Sequence, residues 1–214
     1  MLSYARECLS KDDRIKFQVL DIATEILPLE LCGRFDHVTS FYCLQWVQNH
    51  RKMLENIYEL LSSDGGDCLL LFLASSVLFE AYKILSKITK WSGYMQDYDQ
   101  FVSPYQNSLD AAGEFRKLLQ QAGFVDCKVE LRNEKFAYEG VNVVREIFQG
   151  VCPFFKRIPE ELHEEFCNGF LKVLENLNIR ECIEGTDDYR FVTPYKLLIV
   201  HARKSKVGDN IKVK

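Results

Sequence analysis

Eleven glycines are scattered through the 214 residues, and no two stand in a G-x-G arrangement. The sequence therefore carries no glycine-rich loop of the kind that cradles a phosphate at a helix start. Its eight cysteines, at 8, 32, 43, 68, 127, 152, 167 and 182, form no C-x-x-C pair. Most sit inside apolar segments, the pattern of reduced, buried thiols in an intracellular protein rather than a disulfide framework. The histidines at 37, 50, 163 and 201 lack ligand spacing, so no metal site is expected. Positive charge is not in excess: 27 Lys and Arg stand against 31 Asp and Glu, a formal net charge of −4. No bulk field invites nucleic acid. Long apolar runs are missing too. The strongest, Cys68 to Ala74, falls far short of the roughly 20 residues a bilayer span needs. The first residues, Met1 to Arg6, show neither a signal core nor transit-peptide bias. Together these absences point to a cytoplasmic protein with no membrane span. What is present suffices for a core, because 47% of residues are hydrophobic and 27% charged.

Periodicity supplies the elements. Leu2 to Leu9 reads as a short helix. Ile15 to Leu20 alternates and predicts a strand ending at Asp21-Ile22. Phe35 to Cys43, rich in aromatic and β-branched residues, predicts a second. Met53, Leu54, Ile57, Leu60 and Leu61 recur at helical spacing, and Gly65-Gly66 stops that helix. Leu69 to Leu73 is continuously apolar, as in a strand covered on both faces. Strand, helix, strand indicates an α/β sheet. A helix follows over Ala111 to Ala122. Val125 to Leu131 then alternates strictly, as a strand near a sheet edge does. Glu139 to Leu177 is helical again, with Leu162, Phe166, Phe170, Val173, Leu174 and Leu177 as its stripe. Tyr195 to Ala202 is the last strand. The basic tail to Lys214 reads as a solvated terminus.

Several motifs follow one another in order: Val19-Leu20-Asp21-Ile22, Leu27-Pro28, Phe35-Asp36-His37-Val38, Leu44-Gln45-Trp46, and Leu60-Leu61 before Gly65-Gly66 and an apolar strand. This order resembles the class I S-adenosylmethionine-dependent methyltransferases. Further stretches are similar to the juvenile hormone acid methyltransferases of insects: Gly33 to Leu44, Trp46-Val47-Gln48, Lys90-Trp91-Ser92, Tyr94 to Asp97, Glu139-Gly140-Val141, Cys152-Pro153-Phe154 and Pro194 to Leu197. The similarity runs from Met1 to about Lys204.

The resemblance implies methyl transfer from S-adenosylmethionine to the carboxylate of juvenile hormone acid or farnesoic acid, a small sesquiterpenoid substrate. Such a carboxylate, with pKa near 4.3, is already an anion at neutral pH and needs no base. The resemblance assigns Asp21 and Ile22 to the adenine end of the cofactor, and Ser40 and Phe41 to its methionyl end. It places Tyr42 and Gln45 beside the substrate and gives Trp46 the positioning of both. Without it, Asp21 reads as a turn aspartate, Phe41 and Tyr42 as core, and Trp46 as a helix-start staple. Phe148, Val151, Phe154 and Phe155 are bunched around Pro153 rather than periodic. With residues of 76–109 they are expected to form the apolar wall of the substrate site, Phe154 and Phe155 foremost.

The sequence also departs from that pattern. The D-x-G-x-G-x-G turn, and the strand ending in a ribose-binding acid, have no counterpart, and Met1 to Arg6 matches the helix that follows them. The expectation is an N-terminally truncated α/β fold: a Rossmann-like three-layer sandwich lacking its first two strands, with a helical substrate cap. In the resemblance's own order, 3-2-1-4-5-7-6, strands 4-5-7-6 remain, strand 15–20 is orphaned, and strand 35–43 becomes an exposed edge. The expected parts are 1–138 core, 139–188 helical cap, 189–204 last core strand and 205–214 tail. Two other readings stay open. One is an inactive paralogue that binds ligands or pairs with a protein partner through the open edge. The other is a different small-molecule methyltransferase.

Overall fold

The computed structural model describes residues 2–9, 12, 14–183 and 189–206. Most of the basic tail therefore lies outside the described residues. Helix α1 spans Leu2–Leu9. Residues 15–20, expected as a strand, form none. The alternation of Ile15, Phe17 and Val19 is there, but it meets no neighbouring strand among the described residues, and Val19 stays 81% exposed. A strand's polar groups need a partner to define it.

The sheet is built from β1 (His37–Phe41), β2 (Asp67–Ser76), β3 (Val125–Glu139), β4 (Arg180–Cys182) and β5 (Tyr189–Arg203). Its order is β1-β2-β5-β3, with β4 beside the outer half of β5. β1 and β2 are parallel, joined by helix α2 (His50–Leu60). β5 runs antiparallel to both β2 and β3. This is the 4-5-7-6 arrangement that the resemblance implies, with β1 as the edge. β1 has no second partner strand among the described residues, and Phe41 on it is 55% exposed.

Two strands outrun their sequence signal. β3 continues to Glu139 and β5 begins at Tyr189, pairing through Glu139 with Arg190. Each supplies the other's backbone partners, so a long hairpin-like arm forms where side-chain alternation fades. β2 also differs from its reading. Cys68, Leu70, Phe72 and Ala74 are buried, but Leu69 on the other face is 38% exposed. At the entry to β2, a Cβ on Gly66 would stand 2.9 Å from the Asp36 carbonyl oxygen, so only glycine lets the two chains approach there.

Helix starts are capped by side chains, as the sequence allows. Asn49 accepts from Lys52 N ahead of α2, and Ser76 accepts from Leu78 N ahead of α3 (Val77–Ser86). A short helix, α4 (Thr89–Ser92), follows. Asp110 accepts from Gly113 N ahead of α5 (Ala111–Gln121). Helices α6 (Val141–Val151) and α7 (His163–Asn176) lie between β3 and β5 in the chain.

The core has two parts. One packs Met53, Leu54 and Ile57 of α2 and Phe115 and Leu119 of α5 against Leu70, Phe72, Leu198 and Val200 of the sheet. The other is the helical cap, where Tyr82, Trp91, Phe148, Phe154, Phe166 and Phe170 meet. No helix among the described residues is long and apolar enough to cross a membrane.

Candidate active site

The site begins where β1 ends. Tyr42 leaves the strand with φ of 51°, a conformation that bulky side chains rarely adopt. Its N–H still donates to the Leu71 carbonyl at 2.8 Å. The chain then folds into a 3-10 turn, Leu44–Trp46. Gln45, only 3% exposed, turns back and donates from Nε2 to the Tyr42 carbonyl at 2.8 Å. Strain at Tyr42 and the bond that holds it thus belong to one local device.

His50, buried at the start of α2, secures the same turn. Its Nε2 lies 3.0 Å from the Leu44 carbonyl, which can only accept, so Nε2 carries the proton. Nδ1 is then the acceptor for the Tyr105 hydroxyl at 3.1 Å. Burial lowers the His50 pKa, outweighing its bonds to backbone at Leu44 and Val47. A neutral imidazole fits this pair of bonds, and the rings of Phe72 and Phe115 pack edge-on around it.

Above this turn lies a cavity of about 490 Å³. Tyr42, Gln45, Trp46, Leu73 and Ser76 form its sheet end, and Val77 and Leu78 of α3 one side. Val144, Ile147, Phe148 and Val151 of α6 and Phe170 and Leu174 of α7 form the apolar wall. Phe136 and Tyr138 of β3 and Thr193 and Tyr195 of β5 close the remaining side. None of these lining residues is an acid, a lysine, an arginine or a histidine. Phe148 and Phe170 stack face to face with centroids 3.7 Å apart. Trp46 meets Phe79 edge-on at 5.7 Å. Within this surface one atom is out of place: Gln45 Oε1 is buried and has no hydrogen-bond partner. Such an orphan is costly unless something arrives to satisfy it.

The structure brings three of the expected site residues, Tyr42, Gln45 and Trp46, to this cavity. Asp21, Ile22, Ser40 and Phe41 are not on its walls. Asp21 is exposed and its Oδ1 accepts from Ala23 N at 2.9 Å, a local turn. Ser40 and Phe41 lie on the open edge strand. Phe154 and Phe155 stand one layer back from the cavity: Phe154 packs on Tyr82, and Phe155 on the outer side of Phe148. The bunching around Pro153 reflects a turn that packs inward from several directions. The wall itself is carried by α6 at its ordinary helical spacing.

Sequence reasoning missed His50, Asn56 and the β5 residues Thr193 and Tyr195. Asn56, 2% exposed, donates to both the Ile22 and Thr24 carbonyls, at 2.9 and 2.8 Å, and so fixes the loop carrying Asp21. Its signal was a polar residue in phase with Met53 and Ile57. For Thr193 and Tyr195 the signal was weaker, because Pro194 between them argues against strand. Among the described residues no three His, Cys, Asp or Glu side chains are grouped to hold a metal ion.

Comparison with known proteins adds to this geometry. The methyltransferase domain family model matches residues 3–129. The juvenile hormone acid O-methyltransferase of Drosophila melanogaster is 49% identical over 205 residues, 96% of this chain and 69% of that protein. The enzyme of the same name from Bombyx mori is 32% identical, over 89% of this chain and 68% of its own length. Among solved structures, phosphoethanolamine N-methyltransferase 2 of Haemonchus contortus, in complex with S-adenosyl-L-methionine, superposes with a TM-score of 0.50 at 18% identity. The match covers 96% of this chain and 41% of that one.

Proposed function

The chain belongs to the juvenile hormone acid O-methyltransferase family, and from that membership we propose that it methylates the carboxylate of a sesquiterpenoid acid with S-adenosylmethionine as donor. The observation that carries this reading is the cavity: an uncharged, largely apolar chamber with a buried, unpartnered oxygen of Gln45 at its sheet end. An acceptor oxygen there favours a cation or a donor, which suits a sulfonium and its polarised methyl group. The apolar wall suits a long isoprenoid chain.

S-adenosylmethionine supplies the activated methyl group when bound; Asp21, Ile22, Ser40 and Phe41 are the residues we assign to it. The chain's own part is orientation. The Leu44–Trp46 turn, held by His50 and by the Gln45 bond to Tyr42, sets the indole of Trp46 at the cavity end where the carboxylate enters. Gln45 holds its unpartnered oxygen at the same turn. Phe148, Ile147 and Val151 align the tail, so an anion that is well solvated outside meets its positive partner against an apolar wall. Alignment and desolvation of this kind are the main sources of rate when neither reactant needs a base. We further place the reaction in the cytoplasm, which suits the eight unpaired thiols, and assign no nucleic-acid partner, in keeping with the acidic balance of charge.

The test is transfer of label from methyl-labelled S-adenosylmethionine. The expected product with farnesoic acid is labelled methyl farnesoate. Transfer to a phosphoethanolamine or a catechol in place of the acid would refute the assignment.

A further inference from the structure

Resting on the function proposed above, we infer that Tyr195, paired with Tyr42, receives the substrate carboxylate and so makes the site selective for acids over the matching alcohols and esters. A carboxylate in an uncharged chamber needs hydrogen-bond donors. Gln45 commits one of the two N–H bonds of Nε2 to the Tyr42 carbonyl, and the residue is only 3% exposed. The Thr193 hydroxyl donates to the Phe136 carbonyl at 3.0 Å. The Ser76 hydroxyl oxygen accepts from Leu78 N as the cap of α3 and keeps its own proton. The phenols of Tyr42, Tyr138 and Tyr195, the Ser76 hydroxyl and the Trp46 indole remain as donors on the cavity lining, and Tyr195 stands opposite Ser76 in the β2–β5 ladder, at the sheet end that Tyr42 also lines.

The Tyr42 and Tyr195 phenols reach the same cavity end from opposite sides. Tyr42 comes from the exit of β1 and is held out by its positive φ; Tyr195 comes from β5, across β2. Both line the one cavity, and each hydroxyl carries one proton to give. On arrival of a carboxylate both can turn to it, one per oxygen. Burial, then the Tyr42 hydroxyl and the Glu134 carboxylate, raise the Tyr195 pKa, so its proton is retained at neutral pH. Glu134, which pairs with Tyr195 across the β3–β5 ladder, lines the groove on the other side of Tyr195 and not the cavity.

The experiment uses the protein's own reporter. Of its two tryptophans, Trp46 lines the cavity while Trp91 is buried in the cap. Quenching of Trp46 is titrated with farnesoic acid, farnesol and methyl farnesoate. The wild type is expected to bind the acid about tenfold more tightly than the ester, the value of one hydrogen bond to a charged group. In Tyr195→Phe that preference collapses, with ester affinity unchanged; Tyr42→Phe lowers acid affinity in the same way. Acid preference kept in both variants overturns the inference while leaving the proposed substrate class standing. Failure of the wild type to bind either acid or ester overturns the substrate class and this inference together.

Discussion

Gln45 donates from its amide nitrogen to the Tyr42 carbonyl at 2.8 Å, and its amide oxygen stays buried without a partner among the described residues. The donor cannot swap with the oxygen, because the Tyr42 carbonyl only accepts. The Leu44–Trp46 turn is thus built with a fixed, unpartnered acceptor in a residue that lines the cavity.

Replacing Gln45 by Leu isolates that acceptor. Stability should change by less than about 1 kcal/mol, since the lost bond is offset by removal of an orphan oxygen. Affinity for S-adenosylmethionine should fall more than affinity for S-adenosylhomocysteine, which lacks the positive charge. Calorimetric titration of both ligands checks this. An unchanged ratio between them would contradict the role given to the oxygen.

His50 predicts a pH effect. Its pKa is lowered by burial from the ordinary value of 6.5. Its contribution to stability is therefore complete above about pH 6.5 and is lost as pH falls through the lowered folded value. His37 works in the opposite sense: its hydrogen bond to Asp67 raises its pKa, so its contribution is present at low pH and lost as pH rises. It is fully exposed and counts for little. Urea unfolding of the wild type should show stability falling as pH drops below 6.5. In His50→Gln that limb should be flatter, and stability at pH 7.5 lower by ~2 kcal/mol from the disturbed Leu44 and Tyr105 bonds.

Wall and support separate by mutation. Ile147 and Val151 line the cavity yet are 38% and 45% exposed. Changing either to Ala should cost less than about 1 kcal/mol of stability and shift preference toward bulkier acids. Phe154 is fully buried behind the wall, so Phe154→Ala should cost about 3–5 kcal/mol with little change in preference among acids. Thermal melts and competitive turnover of acids of different length give both readouts.

Asn56 ties the 21–24 loop to α2. Asn56→Leu leaves two carbonyls without their donor and should destabilise by about 1–3 kcal/mol. Amide hydrogen exchange should accelerate at Ala23 and Thr24, while amides in β2 keep their relative protection.

Much of the architecture is legible in the sequence because apolar phase alone fixes it. Met53 with Ile57, and Phe166 with Phe170, are spaced for one helix face and are buried on one. The alternation of Val125 to Leu131 marks an edge strand, and β3 is one. Residues 15–20 show where that logic ends: alternation describes a strand's faces but not its partner, and here no strand adjoins. The long outer halves of β3 and β5 were hidden for the converse reason. Backbone pairing extends them past the point where side chains alternate, and Pro194 masks the signal. At the site, Trp46 and Gln45 were legible through their motif. Tyr195 was not, because it reaches the same cavity as Tyr42 from the far strand β5, a juxtaposition no local pattern encodes.

The most direct test of the central claim is a crystal structure of the protein with S-adenosylhomocysteine and farnesoic acid. The account predicts the carboxylate between Tyr42, Trp46 and Tyr195, with the isoprenoid tail along Ile147, Phe148 and Val151. An acid bound with its tail in solvent, or with its carboxylate away from the Leu44–Trp46 turn, would contradict it.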